Sequence, residues 1–557
     1  DVGSLVPPVE WEMDPFEDRS WVFRMFSLFP VMHDLVLRVD EQGDQEVLRQ
    51  ALDLALDFVS YLRRRGPATP RKKPADCSMC WYDMAVGLRT PYLAYLLLAG
   101  EFYGVTPPAE RTELLCSLAT HAEWLLTDSN HVNGQNHGLF EDAGLLALAV
   151  SLRNVVNTTA LVSRAAFRFM KDTRMTVSVR GVHLEHSPEY HALVMELLEA
   201  TSGIMLSHPL VRTSGGHLAS VAVEMRRHVC WYRMPDGLVP QIGDTDLVEN
   251  SWCPADSLAE RLARGFRVWY KEGLAVYRTP ESYFMVVSWY HQIWAHAHAD
   301  YGSFVWYDAG ARIVVDTGRY GYYNEEEARV YAEGASAHNI LLHGLPERLA
   351  GRARAKFWRR IPKGSWVLDS AQNSRWYAML VSSPMIKEKN HRLLLYRPGR
   401  AVVVVDQLFL KDAKQMCKGL RQSFHFSPAL RSQPPVGWPS HLPVPPRYAA
   451  LGDGNRTVWA VHLSPAAGST MALFRGQQKP MEGFTSPANR VVVPNTVVRF
   501  HTRVCDKPVV TALVVGSDPP DVGLAVPYPG KLSLRLDGEE LLVTLQYDSV
   551  TFDNHPV

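Results

Sequence analysis

The sequence predicts an α+β protein of two domains, with a helical N-terminal domain followed by a C-terminal domain of antiparallel sheets packed as a sandwich. Two observations predict this class. Apolar residues recur with a helical period through the first half, and short β-branched and aromatic runs separated by turn signals fill the second half. The change falls near residue 273. We therefore expect a helical domain over 1–272 and a β-sandwich domain over 273–557, which can include a small terminal β subdomain.

The helical domain is predicted from repeated amphipathic segments. Asp44 suits a helix N-cap, and the residues after it form one apolar face as far as Leu62. Similar patterns recur at 90–103, 111–127, 141–155, 158–172, 187–206 and 215–233. Helix pairs of similar length are typical of a toroid or solenoid, although no strict period identifies a named repeat.

The β domain is predicted from apolar runs of strand length. The expected strands lie at 275–277, 282–288, 303–307, 312–315, 393–396, 401–405, 458–463 and 511–515. Turn signals such as Asp453-Gly and Asp537-Gly separate the runs. Strands at such spacing favour antiparallel sheets in a sandwich.

Composition excludes several classes of protein. The chain has 557 residues, of which 46% are hydrophobic and 21% charged, with a formal net charge of zero. Zero net charge argues against a nucleic-acid partner, and because no apolar run reaches eighteen residues we expect no membrane insertion. The chain starts at Asp1, which fits either a removed signal peptide or a trimmed chain. A secreted or periplasmic location is favoured, and a cytoplasmic one stays open.

The seven cysteines are an odd and scattered set, which predicts no disulfide framework; they stand at positions 77, 80, 116, 230, 253, 417 and 505. Cys77 and Cys80 have the spacing of half a zinc knuckle. Since no second pair of this spacing follows, a structural or incidental role is expected for them.

Two polar motifs stand at predicted helix starts. In the first, Asn136 and His137 offer an amide and an imidazole beside the positive end of a helix dipole, which suits a carboxylate; the alternative is a helix cap with a surface histidine. The second spans 181–191 and holds three histidines, two glutamates and Tyr190. Tyr190 is a candidate proton carrier and His186 a candidate substrate contact, and the alternative is an amphipathic helix with a polar rim.

A third polar cluster lies in the β region. In a strand, His296, His298 and Asp300 would share one face, and Asp316 and His338 would come from neighbouring strands or loops. His298, Asp316 and His338 make a reasonable ligand set for zinc, whereas the alternative is a group of buried histidines bonded to the backbone.

A basic segment follows this cluster. Arg352, Arg354 and Lys356 alternate, so a strand would place three cations on one face. An anionic polymer could dock there, although a solvated strand face is an equal alternative.

Taken together, these motifs resemble the heparinase II/III-like polysaccharide lyases, a family that includes heparinases and oligoalginate lyases. The matching segments are Asn136-His137-Gly138-Leu-Phe, the stretch 181–191, His296-Ala-His298-Ala-Asp300-Tyr-Gly-Ser-Phe, Val315-Asp316-Thr-Gly and Ala337-His338-Asn339, with further stretches near 391–396, 404–406 and 424–428. The resemblance covers about 75–430. One departure is Ile-Leu-Leu-His343-Gly after Asn339, where the family typically shows Thr-Val-x-Val-Asp-Gly.

The resemblance implies an incomplete α/α toroid followed by antiparallel β-sandwich layers, and cleavage of an acidic polysaccharide by β-elimination. Abstraction of the uronate C5 proton requires that the adjacent carboxylate be neutralised by fixed donors. The motif match assigns this neutralisation to Asn136, His137 and His296. It makes Tyr190 the acid at the leaving oxygen, and the base as well when proton and leaving group lie on one side.

The same resemblance implies one structural zinc ion, held by His298, Asp316 and His338, and no organic cofactor. Tyr322 and Tyr331 compete for the role of a second, basic tyrosine. The predicted partner is a uronate-containing glycan, glycosaminoglycan-like first and alginate or another polyuronate next. The alternatives are a uronyl C5-epimerase on the same fold and a non-catalytic glycan-binding protein.

Overall fold

The structure is a computed structural model that describes residues 5–65, 79–288, 295–322, 326–342, 348, 356, 367–384, 389–409, 420–434, 447–463, 469–502, 508–528 and 530–553. The chain forms two compact units. The first comprises Asp1–Gly181 and Leu193–Met225, and the second comprises Val182–Ala192 and Arg226–Val557. In the described part of the chain, no helix is both long enough and apolar enough to span a membrane.

The first unit is helical, as predicted. Its helices are α1 (Arg19–Phe26), α2 (Val31–Gln42), α3 (Gln45–Arg65), α4 (Asp83–Phe102), α5 (Pro108–Leu126), α6 (Asn136–Ser151) and α7 (Thr159–Thr176), with most of α8 (Pro188–Leu206) and α9 (Arg212–Val229). The predicted N-cap is confirmed, because Asp44 Oδ1 accepts hydrogen bonds from the backbone N–H groups of Glu46 and Val47 at 3.0 and 3.1 Å.

Helices α4 and α6 pack through glycine. A Cβ on Gly87 would lie 2.3 Å from the carbonyl oxygen of Phe140, and one on Gly144 would lie 2.2 Å from that of Gly87. Two helix backbones can approach this closely only where the residue at the contact has no side chain. The contact brings the backbone of α6 against α4, and α6 is the helix that begins at Asn136.

Buried neutral histidines make folding sensitive to acid. Burial and the nearby charge of Arg89 lower the pKa of His121 to about 3, and burial lowers that of His462 to about 4. Both histidines take up a proton readily only in the unfolded chain. The free energy of unfolding therefore falls as the pH falls through the pKa that the histidines have in the unfolded state. Between pH 7 and pH 5 we expect each to remove about 2 kcal/mol from the free energy of unfolding.

Urea unfolding at both pH values measures this loss, and His121→Gln should reduce it. The matched control is His217→Gln, whose imidazole is exposed in the same unit, and it should leave the pH dependence unchanged. An equal pH dependence in His121→Gln and the unmodified protein would contradict the expectation.

The second unit is built on antiparallel sheets, which confirms the predicted fold class. One sheet is the meander β1 (Gly265–Trp269), β2 (Leu274–Arg278), β3 (Tyr283–Val287), β4 (Ser303–Asp308) and β5 (Ala311–Val314). An eight-stranded sheet has the order β12 (Arg431–Ser432), β13 (Arg447–Gly452), β14 (Thr457–His462), β21 (Val509–Val515), β10 (Ala401–Phe409), β9 (Lys389–Arg397), β8 (Tyr377–Pro384) and β7 (Val367–Gln372).

Smaller sheets complete the unit. One has the order β15 (Thr470–Arg475), β20 (Thr496–Thr502), β11 (Leu420–His425) and β6 (Leu341–Leu342), and another is β22 (Val522–Tyr528), β23 (Lys531–Leu536), β24 (Glu539–Leu545) and β25 (Val550–Phe552). The remaining strands form two ribbons, β16 (Gln477–Gln478) with β17 (Met481–Glu482) and β18 (Phe484–Ala488) with β19 (Val491–Pro494). Two short helices, α10 (Leu258–Leu262) and α11 (Glu327–Glu333), lie in the same unit.

The eight-stranded sheet is buried on both faces. In β9, Leu394 and Tyr396 face a core that includes Phe284 and Phe424, whereas Leu393 and Leu395 face a core shared with the C-terminal strands, including Leu534. Because side chains alternate along a strand, burial of both sets produces a continuous apolar run. The sheet is therefore the middle layer of a sandwich.

A buried ion pair ties this layer to two loops. Arg392 on β9 donates to both carboxylate oxygens of Asp406 on β10 at 2.8 Å. Its remaining N–H groups donate to the carbonyl oxygens of Gly302 and Asn339 at 2.9 and 2.5 Å. These loops follow the predicted polar motifs at 296–300 and 338, so the sheet anchors the segments that carry them.

Two sequence-based expectations are corrected by the structure. Cys230 and Cys253 form a disulfide, because the turn after α9 brings their Cα atoms to 5.1 Å, although the scattered cysteines predicted no such pairing. Residues 295–300 form turns and bends, not a strand, and His296 has a φ of 62°. His296 and His298 therefore do not share a strand face.

Candidate active site

The centre of the polar site in the second unit is the buried carboxylate of Asp244. Its oxygens accept hydrogen bonds from His296 Nδ1 at 2.9 Å and His298 Nε2 at 3.0 Å, and both also accept from the Arg329 guanidinium. Burial opposes ionisation, but the charge of Arg329 and the imidazole bonds outweigh it and hold the pKa of Asp244 well below its usual range. Asp244 thus orients two of the predicted histidines at once.

The loop before Asp244 fits between two other segments. Gly243 has a φ of 56°, and a Cβ there would lie 2.6 Å from the carbonyl oxygen of His186 and 2.8 Å from that of His296. Only glycine combines this conformation with so close an approach. The Asp244 backbone N–H then donates to the His296 carbonyl at 3.1 Å, which joins the two segments.

Tyr190, Tyr322 and His296 form one edge of this group. The Tyr190 and Tyr322 hydroxyls are hydrogen-bonded to each other. The Tyr190 ring stacks on the His296 imidazole, with ring centroids 3.5 Å apart and an angle of 17°. Both tyrosine residues are partly buried, and the ring stacking and the hydroxyl–hydroxyl bond hold the pair in place.

Ser187 positions Tyr190 at the start of α8. Its hydroxyl accepts a hydrogen bond from the Tyr190 backbone N–H at 3.3 Å and also lies 2.9 Å from the carbonyl oxygen of Asp244, to which it donates. Serine at a helix start caps the free N–H groups of the first turn. The same residue therefore caps the helix and ties it to the Asp244 loop.

Two arginines surround the Tyr322 ring. The guanidinium carbons of Arg319 and Arg329 lie 5.7 and 5.4 Å from its centroid. Burial and the negative charge of Asp244 raise the pKa of Tyr322, while the two positive charges act in the opposite direction. Burial also raises the pKa of Tyr190 well above its usual value. At neutral pH the pair therefore holds both protons, and Tyr322 is the member flanked by two cations.

The predicted zinc residues lie behind this edge, and each histidine is oriented by a carboxylate. His338 Nδ1 donates to Asp316 Oδ1 at 2.7 Å, and His298 Nε2 donates to Asp244. The opposite nitrogen of His298, Nδ1, is buried and bonds to none of the described residues, whereas the His338 imidazole also interacts with the backbone of Ala332. A carboxylate on one imidazole nitrogen leaves the other directed at a metal. Among the described residues, however, His298, Asp316 and His338 do not bring three ligand atoms within 4.8 Å of one another, because Asp316 holds His338. The zinc assignment stays a prediction.

The zinc assignment makes a direct prediction. His338→Gln is expected to lower the zinc content of the purified protein by one equivalent, because it removes an imidazole ligand from the predicted set. Elemental analysis after dialysis measures the content, with His217→Gln as the exposed-histidine control. An unchanged zinc content in His338→Gln would remove the assignment.

Asn136 and His137 belong to the first unit. Asn136 begins α6 and is buried, with 1% of its surface exposed. His137 is partly exposed, and its Nδ1 donates to Asp83 Oδ1 at 2.9 Å. The carboxylate orients the imidazole much as Asp244 orients His296. The roles assigned to Asn136 and His137 stay predictions.

The structure separates the remaining predicted residues. Tyr331 is buried at 1% exposure among Ala337, Met481 and Phe484, whereas its competitor Tyr322 contacts Tyr190. His186 is buried as well. Lys356 is exposed, and the predicted substrate contacts Arg352 and Arg354 lie outside the described residues, as does Cys77 of the predicted cysteine pair.

Sequence reasoning missed Asp244, Arg319 and Arg329. Asp244 lies in Ile-Gly243-Asp244-Thr-Asp246, and the only local signal is a glycine before an acidic residue. Arg319 follows the Asp316-Thr-Gly motif and pairs with Asp246. Arg329 lies on α11, where its side chain also pairs with Glu333 one turn later at 2.5 Å. No spacing rule predicts these pairings.

Comparison with known proteins supports the resemblance seen in the motifs. Residues 271–503 match the family described as Heparinase II/III-like, C-terminal. No curated protein matches the chain by sequence. Heparan sulfate lyase HepC from Pedobacter heparinus is similar in structure, with a TM-score of 0.66 and 14% identity over 98% of this chain and 85% of that one.

A structure of heparinase III has a TM-score of 0.73 and 13% identity over 96% of this chain and 85% of that one. At such low identity these likenesses establish the fold. Residues 271–503 are therefore similar to the heparinase II/III-like C-terminal domain, and the predicted arrangement of helices followed by antiparallel β-sandwich layers is confirmed.

Proposed function

We propose that the protein is a polysaccharide lyase that cleaves a uronate-containing glycosaminoglycan by β-elimination. The observation that carries the proposal is the hydrogen-bonded pair of Tyr190 and Tyr322 stacked against His296. Such a pair offers an acid and a base within one hydrogen bond of each other, as an elimination needs. The similar structures are those of heparinase III and of a heparan sulfate lyase, and this similarity favours heparan sulfate as the first substrate to test. Alginate or another polyuronate comes next.

The two tyrosines take different roles in this proposal. Tyr322 lies beside Arg319 and Arg329, whose charges stabilise a tyrosinate, so it removes the C5 proton. Tyr190 keeps its proton because burial raises its pKa, so it donates to the departing 4-oxygen. The Tyr190–Tyr322 hydrogen bond then lets the proton return from Tyr322 to Tyr190 after product leaves.

Neutralisation of the substrate carboxylate falls to His296 in this proposal. His296 Nδ1 is held by Asp244 at 2.9 Å, so the ring does not need to reorient during the reaction. Fixed donors near the carboxylate stabilise the enolate-like anion that forms when C5 loses its proton. A zinc ion at His298 and His338 would supply rigidity to the wall behind His296 and takes no part in these steps.

The geometry favours a lyase over a C5-epimerase. Two hydroxyls in mutual contact would approach a sugar from one side, which suits removal of a proton and a leaving group from the same face. An epimerase must return the proton to the opposite face of C5. Formation of an unsaturated uronate, followed by ultraviolet absorbance, supports the lyase. Its absence together with deuterium incorporation at C5 from heavy water would support the epimerase.

The disulfide supports a secreted or periplasmic location as part of the same proposal. Disulfides persist in oxidising compartments and are rare in the cytosol. The Cys230–Cys253 bond joins the turn after α9 to the segment that follows Asp244 in the chain. An extracytoplasmic location also matches a polymeric substrate that does not cross membranes.

The proposed roles predict the pH dependence of the rate. Because the pKa of Tyr322 is raised, only a small fraction of the pair is singly ionised near neutral pH. We expect kcat/KM to rise roughly tenfold per pH unit on the acid side, since the base form grows in that proportion. Tyr322→Phe should abolish the rise together with most of the activity. A wild-type rate that falls from pH 6 to pH 8 would contradict the assignment.

The test of the function is a substrate screen. The purified chain is incubated with heparan sulfate, heparin, chondroitin sulfate, hyaluronan and alginate, and the unsaturated product is followed by absorbance and sized. Ultraviolet-absorbing product from at least one uronate polymer is the expected result. A glycan-binding protein would be favoured by a different result. In that case the unmodified protein and Tyr190→Phe would bind these glycans equally well, and neither would release product.

A further inference from the structure

A second polar cluster is buried in the first unit. His131, Asp142 and Asp172 present one ligand atom each within 4.8 Å of one another. His131 lies in the loop before α6, Asp142 on α6 and Asp172 on α7. Their side chains are 2%, 0% and 0% exposed, so water does not solvate the carboxylates.

The charge of this cluster is not balanced by the described residues. Arg168 neutralises Asp142, with its Nε donating to Asp142 Oδ1 at 2.7 Å. No side chain of the described part of the chain donates a hydrogen bond to Asp172, and the backbone N–H of Gly134 is the donor that favours its charged form. A buried carboxylate with so little compensation is costly unless a cation or a proton accompanies it. The Asp172 carboxylate also points at His131, with Oδ2 3.7 Å from Nε2.

The spacing of the three atoms suits a small metal ion. His131 Nε2 lies 3.1 Å from Asp142 Oδ2 and 3.7 Å from Asp172 Oδ2. Ligands of a tetrahedral zinc ion stand about 3.3–3.6 Å apart, given bonds of about 2.0–2.2 Å. One imidazole with two carboxylates is a ligand set that zinc accepts. The site also has room for Asp172 because residue 138 is glycine, where a Cβ would lie 2.8 Å from Asp172 Oδ2.

We propose that His131, Asp142 and Asp172 bind a divalent transition-metal ion of the zinc type. This site is separate from the predicted zinc residues His298 and His338, which belong to the other unit. The ion joins α6 and α7 to the loop before α6. That loop leads directly into Asn136 and His137, so the ion fixes the backbone that carries them.

The test uses the full-length protein and zinc alone as the probe. Crystals grown with zinc are measured at the zinc absorption edge. An anomalous difference peak within bonding distance of His131, Asp142 and Asp172 supports the proposal. A map without a peak in this cluster overturns it. Because this readout uses the unmodified chain, it does not depend on the folding of a variant or on lyase activity.

A variant series gives a second readout. Asp172→Asn should lower the zinc content by one equivalent, and combination with His338→Gln should lower it further. The matched control is Asp128→Asn, which changes an exposed carboxylate of the same unit, 73% of whose side chain is accessible. Circular dichroism verifies that the Asp172→Asn variant is folded. If the folded variant then holds as much zinc as the unmodified protein, Asp172 carries a proton instead of binding the ion.

Discussion

Tyr190→Phe is expected to lower kcat by about two to four orders of magnitude, the usual contribution of a positioned acid. The substitution removes the hydroxyl that contacts Tyr322 and keeps the ring that stacks on His296 at 3.5 Å. Substrate binding and folding should therefore change little. The measurement is the initial rate of unsaturated-uronate formation, together with KM.

The control for Tyr190→Phe is Tyr270→Phe. Tyr270 is an exposed tyrosine of the same unit whose hydroxyl contacts only the surface residue Ser370 among the described hydrogen bonds, at 2.6 Å. Its loss should leave the rate within twofold. A kcat for Tyr190→Phe within a factor of three of the unmodified value would exclude Tyr190 as the acid.

Asp244→Ala is expected to lower the free energy of unfolding by about 3–5 kcal/mol, as for other buried ion pairs broken on one side. It leaves the His296 and His298 donors without their acceptor, and it leaves Arg329 with Glu333 as its remaining carboxylate partner. Since the same carboxylate orients His296, activity should fall in the fraction that still folds. Urea denaturation measures the first effect and the absorbance assay the second.

Asp518→Ala is the matched control for Asp244→Ala. Asp518 is exposed in the same unit, and its carboxylate accepts a hydrogen bond from the neighbouring Ser517 hydroxyl at 2.9 Å. Surface changes of this kind usually stay within about 0.5 kcal/mol. A loss below about 1 kcal/mol in Asp244→Ala would mean that the buried charges rearrange and that Asp244 does not organise the site.

Much of the fold could be predicted because burial leaves a periodic trace in the sequence. The apolar face after Asp44 became α3, and the run Leu393-Leu-Leu-Tyr396 became a strand between two cores. The segment 295–300 failed as a strand because alternation of His and Ala imitates the period of two, while the backbone forms turns there. The local pattern of apolar and polar residues indicates which side chains are buried, but it contains little information on turn geometry.

The site was predicted in part. The motifs correctly drew attention to Tyr190 and His296, which stack on each other in the structure. They did not choose between Tyr322 and Tyr331, because both follow Asp316 at a distance that no motif constrains. The structure separates them by environment, since Tyr322 contacts Tyr190 and Tyr331 packs among apolar side chains.

The sequence by itself determined the order of a helical half and a sheet half, the positions of eight strands, and the polar motifs that resemble a lyase family. Only the tertiary structure decided which distant groups meet. Tyr190 and Tyr322 are 132 positions apart, and Asp244 and Arg329 are 85 apart. The physical reason is that periodicity records whether a residue is buried, whereas a hydrogen bond between remote side chains depends on how whole segments pack.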